Sequence, residues 1–311
     1  MDKQSIRQIA LIGFGEVGGI FGHDFSTAGL KVSFYDILLS TEPSRTAMLS
    51  KAQRCSVRAC DTLEAAILGA DLVISAVTAS TASSVAKQAV LFLRSGQIYL
   101  DINSVSPETK REIARTLSES AAKFVEAAVM APVAPQRIKV PMLLGGAHAT
   151  SAASLLHEIG MNVNPISEQV GVASAVKMCR SIIIKGLEAI TVESMFTARR
   201  YGAEKLVLES LAATYPEMGW TTTLPDYLIS RVAEHGKRRG AEMREAAQAV
   251  TDAGLEPLTA LATAQRQDWL ARAISDCGIA VPKDENFKWD ELADAIAKAA
   301  FPSEKSAASK I

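Results

Sequence analysis

An α/β domain built on a parallel sheet, followed by an all-helical domain, is the fold class that the sequence predicts. Three observations carry this expectation. Short apolar runs alternate with helical stretches through the first half, the alternation that parallel sheets require. A glycine-rich turn follows the first of these runs at once. Near Pro165 the pattern changes, and from Gln169 onward the strand-like runs give way to long helical patterns.

The first apolar run, Gln8–Ile12, reads as a buried strand and leads into Gly13-Phe14-Gly15-Glu16-Val17-Gly18-Gly19. A helical segment from Ile20 to Ala28 follows, stopped by Gly29. Lys31–Tyr35 is the next strand, with Asp36 at its end. The spacing is G-x-G-x-x-G between strand and helix, with an acid about 20 residues on. Nineteen glycines make such a spacing by chance, so the ordered context carries the reading. That reading is a Rossmann-type dinucleotide site. Gly13 permits the tight turn, Gly15 lets backbone approach a pyrophosphate, and Gly18 lets the helix pack close. Phe14, Glu16 and Val17 complete the turn, whose free N–H groups face the phosphates. Asp36 accepts hydrogen bonds from the adenosine ribose. Leu38–Ser50 reads as a polar loop, in which Ser44 and Arg45 lie near where a 2′-phosphate would sit. Asp36 repels that phosphate, so NAD is the expected cofactor and NADP the alternative.

Thr62–Leu68 reads as a short helix and Asp71–Val77 as a strand. Ligands of open parallel sheets bind at the carboxyl ends of strands, which places Val77 and Thr78 against the cofactor. A helix over Ser83–Leu93 precedes the strand Gln97–Leu100. This strand delivers Asn103 and Ser104 to the same edge, where they serve either the site or local turn chemistry. Ser106-Pro107-Glu108 starts a helix with proline in its first turn. Phe124–Val129 and Met142–Gly145 are the remaining strands, joined by a proline-rich basic loop over Pro132–Pro141. His23 and His148 read as incidental.

The second half is helical: Gly171–Ala198, Ala203–Thr214, Leu224–Ala253 with a break at Gly236 or Gly240, Pro257–Asp276 and Trp289–Ala300. A small, charged tail from Ser303 is expected to fray. The boundary is drawn between 166 and 167, giving a dinucleotide-binding domain over 1–166 and a helical substrate and dimerisation domain over 167–311. Lys177 stands near the start of the long helix among Val172, Ala173, Ala175 and Val176. Such surroundings depress a lysine pKa and suit acid–base work. They equally suit a lysine that buries its stem and keeps its head in water, and pattern alone favours that second reading.

Composition excludes several classes. Thirty-three Lys and Arg against 34 Asp and Glu leave a formal charge of −1, which gives no support for nucleic-acid or membrane partners. No apolar run reaches membrane-spanning length. Met1–Arg7 is short and polar, which predicts a cytoplasmic protein without a signal peptide. The four cysteines have no metal or redox spacing, and no metal site is expected.

Three stretches together resemble the β-hydroxyacid dehydrogenase family, which includes 3-hydroxyisobutyrate and 6-phosphogluconate enzymes. They are Gly13-Phe14-Gly15-Glu16-Val17-Gly18; Asp101-Ile102-Asn103-Ser104-Val105-Ser106-Pro107, similar to D-x-S-[ST]-x-x-P; and Gly171-Val172-Ala173-Ser174-Ala175-Val176-Lys177, similar to G-x-[GA]-x-x-x-K. The resemblance implies NAD(P)-dependent hydride transfer to or from a small 3-hydroxy acid. It makes Lys177 the general acid/base, with Asn103 and Ser104 holding substrate and nicotinamide, and implies a homodimer. The family's substrate loop, close to D-A-P-V-S-G-G, is here Glu126-Ala127-Ala128-Val129-Met130-Ala131-Pro132, so Met130 stands where a serine is usual. Arg180 occupies a place where asparagine is usual and is expected to bind the substrate carboxylate. These departures resemble a branch that carries a C-terminal helical domain of unassigned function, on the stretch His235–Glu245. An imine reductase and an inactive dinucleotide-sensing protein are the competing readings.

Overall fold

The computed structural model describes residues 5–282 and 287–300. The chain divides into two compact units, Met1–Met178 and Cys179–Ile311. The division falls inside the long helix, later than the boundary expected at 166. The expected fraying tail from Ser303 lies outside the described residues.

The first unit is an eight-stranded sheet with helices around it. In chain order its elements are β1 (Gln8–Ile12), α1 (Glu16–Thr27), β2 (Lys31–Tyr35), α2 (Ser44–Cys55), β3 (Arg58–Ala59), α3 (Leu63–Ile67), β4 (Leu72–Ser75) and α4 (Ala82–Ala89). There follow β5 (Ile98–Asp101), α5 (Pro107–Leu117), β6 (Lys123–Val129), α6 (Val133–Gln136), β7 (Met142–Gly145), α7 (Ala149–Glu158) and β8 (Val163–Ser167). The strand order is β3-β2-β1-β4-β5-β6-β7-β8. All pairs are parallel except β6 with β7. Leu11, Ile74 and Leu100 on one face, and Ala10, Val73 and Tyr99 on the other, are fully or almost fully buried. Burial on both faces is why these strands read as continuous apolar runs rather than alternations. The order reverses between β1 and β4, and the carboxyl ends at such a switch point form the ligand crevice.

Several elements differ from expectation for identifiable reasons. The stretch expected as a polar loop contains α2, in which only Ala52 is buried, so no apolar stripe announces it. The helix α7 buries Ala149, Ala152, Ala153 and Leu156. The i, i+3, i+4, i+7 spacing is there, but alanine makes it faint in hydropathy. Pro165, which marked the change of pattern, lies within β8. That strand pairs only with β7, and an edge tolerates a residue that cannot donate a ladder hydrogen bond.

The helical unit contains most of α8 (Val172–Tyr201), then α9 (Glu204–Thr214), α10 (Leu224–Asp252), α11 (Leu258–Asp276) and α12 (Trp289–Ala300). The expected break in α10 does not occur. A Cβ on Gly236 would come within 2.7 Å of the Gln267 carbonyl oxygen, so glycine here serves close helix packing rather than interruption. Val192, Met195, Ile229, Val232 and Leu270 centre the core. Lys185, only 7 % exposed, pairs with Glu242 at 2.6 Å, and Arg239 donates to both oxygens of buried Glu188. Among the described residues no helix is long and apolar enough to cross a membrane.

Candidate active site

The glycine-rich turn fills the switch point. Gly13, at φ +92°, donates its N–H to the Tyr35 carbonyl at 2.9 Å. A Cβ there would lie 2.4 Å from the Ala76 carbonyl oxygen, and one on Gly18 would lie 2.2 Å from that of Gly13. Both glycines are therefore fixed by backbone approach. Gly15 differs: it precedes α1 and a Cβ there would meet nothing within 4 Å. That open side is where backbone can meet a phosphate, next to the helix-start N–H groups of Glu16 and Val17, which precede the intrahelical ladder.

Asp36 is half-buried at the end of β2. One carboxylate oxygen accepts from Phe14 N–H at 2.7 Å and the other from Leu38 N–H at 2.9 Å. The carboxylate is thus tied to the turn itself, and each oxygen keeps a lone pair for a ribose hydroxyl. Arg45 is engaged elsewhere, donating to the Leu39 carbonyl at 2.7 Å and to Asp61 at 2.8 Å. Lys51 on α2 was not anticipated from sequence. Its ammonium donates to the carbonyls of Phe14 and Gly15 at 2.7 and 2.6 Å and lies over the Phe14 ring. Burial pulls its pKa below the ordinary lysine value, with Cys55, Asp36 and other neighbours opposing or adding smaller amounts. The open flank of Gly15, the helix start and the Asp36 carboxylate fit the phosphates and ribose of a dinucleotide.

Val77 and Thr78 follow β4 at the same edge. Val77 N–H donates to Asn103 Oδ1 at 2.7 Å, and Asn103 Nδ2 donates to Ser75 Oγ at 2.9 Å. Asn103 is 5 % exposed and spans the ends of β4 and β5. Its amide is largely occupied in holding the Val77 loop. Beneath it, Asp101 Oδ1 accepts from Asn103 N–H at 2.9 Å and meets Lys110 Nζ at 3.0 Å. Lys110 also donates to the Asp101 carbonyl. Both members of this pair are buried, and it is unusual inside an apolar layer; Lys110 lies on the buried face of α5 with Pro107, Ile113 and Leu117, where a lysine reads from sequence only as a gap in the apolar stripe. Burial and the Asp101 charge push the neighbouring Tyr99 hydroxyl above its ordinary pKa.

Lys177 and Ser104, 73 residues apart in sequence, meet here. Lys177 Nζ donates to Ser104 Oγ at 2.6 Å, and both residues are half-buried. Met130, also half-buried, follows β6 and is held through its N–H to the Pro141 carbonyl at 2.9 Å. Arg180 is exposed on α8, in the helical unit. His23 is an exposed residue of α1 and His148 an exposed one before α7.

The chain resembles known proteins along most of its length. Residues 8–167 match the NAD binding domain of 6-phosphogluconate dehydrogenase, and residues 198–270 match a domain of unknown function, DUF1932. An uncharacterised 28.5 kDa protein of Methanothermus fervidus is 30 % identical over 254 residues, covering 81 % of this chain and 94 % of that one. The 3-hydroxyisobutyrate dehydrogenase of Pseudomonas aeruginosa is 24 % identical over 250 residues, 77 % and 81 % of the two chains. A conserved hypothetical protein from Sinorhizobium meliloti superposes with a TM-score of 0.76 at 31 % identity, over 95 % of this chain and 97 % of that one. With a nicotinamide-dinucleotide domain over its first half and that helical domain in its second, the chain belongs to the β-hydroxyacid dehydrogenase-like family.

Proposed function

We propose that the protein is an NAD-dependent dehydrogenase or reductase that interconverts a small 3-hydroxy acid and its carbonyl form, with Lys177 as general acid/base. The observation that carries the reading is the Lys177 Nζ to Ser104 Oγ hydrogen bond, 2.6 Å long, at the carboxyl edge that also bears the dinucleotide turn. A bound nicotinamide supplies the hydride acceptor or donor. The chain's own work is proton handling and orientation. Lys177 takes the proton from the substrate hydroxyl during oxidation and returns it to the carbonyl oxygen during reduction. Ser104 orients the amine and shares the substrate oxygen. Asn103 keeps Val77 and Thr78 in place against the cofactor.

The preference for NAD rests on Asp36, whose carboxylate is fixed by two backbone N–H groups and would repel a 2′-phosphate, while Arg45 is committed to Asp61. Met130 lines the substrate side. Arg180, three residues beyond Lys177 on α8, suits bidentate binding of a carboxylate. The functional unit is a homodimer. Ile183, Ile190 and Tyr201 are 71 %, 61 % and 83 % exposed and share one face of α8, since seven and eighteen residues are close to whole turns. A second copy would cover that face.

The test is a hydride-transfer screen by absorbance at the nicotinamide band, over 3-hydroxy acids, 3-hydroxy amino acids and cyclic imines, with both cofactors. Turnover of a 3-hydroxy acid is expected. Turnover of imines alone would replace the proposal with an imine reductase. Tight NADH binding without turnover of any class would leave a dinucleotide sensor.

A further inference from the structure

Gly171 precedes α8 at φ +101° and has no side chain with which to cap the helix. The first N–H groups of a helix need an acceptor from somewhere. Here it comes from the middle of the sheet. Glu126, on β6 and 0 % exposed, accepts from Gly171 N–H at 2.7 Å and Ala173 N–H at 3.1 Å through Oε1. Its Oε2 accepts from Ser174 Oγ at 3.0 Å. The position is built for this carboxylate. Opposite it in the register stands Gly145, where a Cβ would fall 2.4 Å from Oε1. A buried anion at a helix start is also favoured by the helix dipole.

We propose that Glu126 is a positioning residue for Lys177: it fixes the first turn of α8 and so holds the Lys177 amine at Ser104. This rests on the reading of Lys177 as acid/base. The lever is short. Lys177 lies four residues beyond Ala173, about 6 Å along the axis. A tilt or fraying of that turn moves the amine by an amount comparable with the displacement of roughly 1 Å that costs about 10²-fold in rate. The same strand runs on to Met130, so β6 ties the acid/base helix and the substrate loop to one element.

The test compares Glu126→Leu, which removes the acceptor, with Glu126→Gln, whose amide oxygen can still accept the two N–H groups while its NH₂ faces Ser174. The first readout needs no substrate: acetylation of Lys177 by acetic anhydride, mapped by peptide mass spectrometry, with NADH affinity measured in parallel. In Glu126→Leu the Lys177 rate should rise about tenfold as the amine leaves Ser104, a change of the size a single lost hydrogen bond produces. Lys51 labelling and NADH affinity should stay within about twofold. Glu126→Gln should resemble the wild type. On a substrate found by the screen, Glu126→Leu should lose about 10²-fold in kcat with little change in the KM for NADH. Unchanged Lys177 labelling in Glu126→Leu overturns the proposal, as does a Glu126→Gln variant as impaired as Glu126→Leu. If Glu126→Leu does not fold, Ser174→Ala decides in its place: a rise of about threefold supports the role and no rise overturns it. If no substrate is found, the functional reading fails while the labelling still decides the role of Glu126.

Discussion

The two lysines on α8 should separate catalysis from stability. Lys177 is half-buried with its amine on Ser104, whereas Lys185 is buried in an ion pair with Glu242 at 2.6 Å. Replacing Lys177 by methionine keeps the stem and removes the amine. Loss of a positioned acid/base costs about 10²–10⁴-fold in kcat, which is roughly 3–5 kcal/mol in the barrier at about 1.4 kcal/mol per factor of ten. NADH binding should persist, because the Gly13–Gly18 turn, Asp36 and Lys51 make no use of Lys177. Lys185→Met leaves a carboxylate behind. Breaking a fully buried pair costs about 3–5 kcal/mol, but Glu242 keeps 25 % of its side-chain surface exposed, so about 2 kcal/mol is the expected loss. That corresponds to a fall of about 5 °C in Tm. Steady-state turnover, NADH fluorescence titration and calorimetry on both variants form the assay. Full activity in Lys177→Met, or a Lys185→Met enzyme that is inactive yet unchanged in Tm, would show that the acid/base has been assigned to the wrong residue.

Other outcomes follow from the same contacts. Asp36→Ala should weaken NAD binding and bring the kcat/KM for NADP up toward that for NAD; a wild-type enzyme already favouring NADP would refute the assignment and point to Arg45. Lys110→Met strands Asp101, which is fully buried, and should cost about 3–5 kcal/mol, lowering Tm by roughly 10 °C; a change below about 1 kcal/mol in chemical denaturation would refute a stabilising role for the pair. Sedimentation at micromolar concentration should give a dimer, and Ile190→Asp a monomer; a monomeric wild type would leave the apolar face of α8 to another partner.

How much of this was legible before folding depends on the range of the interaction. The turn from Gly13 to Gly18, Asp36 after β2, and the helical second half are local patterns. Each is set by spacing along the chain, and the sequence alone determined them. The motif resemblance carried Lys177 and Ser104 to the same site across 73 residues, which periodicity could not do. Other features escaped because nothing local marks them. The helix α2 has no apolar stripe, and α7 shows only alanines on its buried face. Pro165 looked like a boundary because a proline breaks a central strand, and only the strand order reveals an edge that tolerates it. Lys110 and Glu126 were unreadable for a deeper reason. A buried charge is favourable only when its partners are in place, and these partners, Asp101 for one and the first turn of α8 for the other, arrive through sheet pairing and helix docking. The sequence determined the dinucleotide turn and the helical second half, because both are set by spacing along the chain; tertiary structure decided which charges are held in the interior, because their partners meet only in the fold.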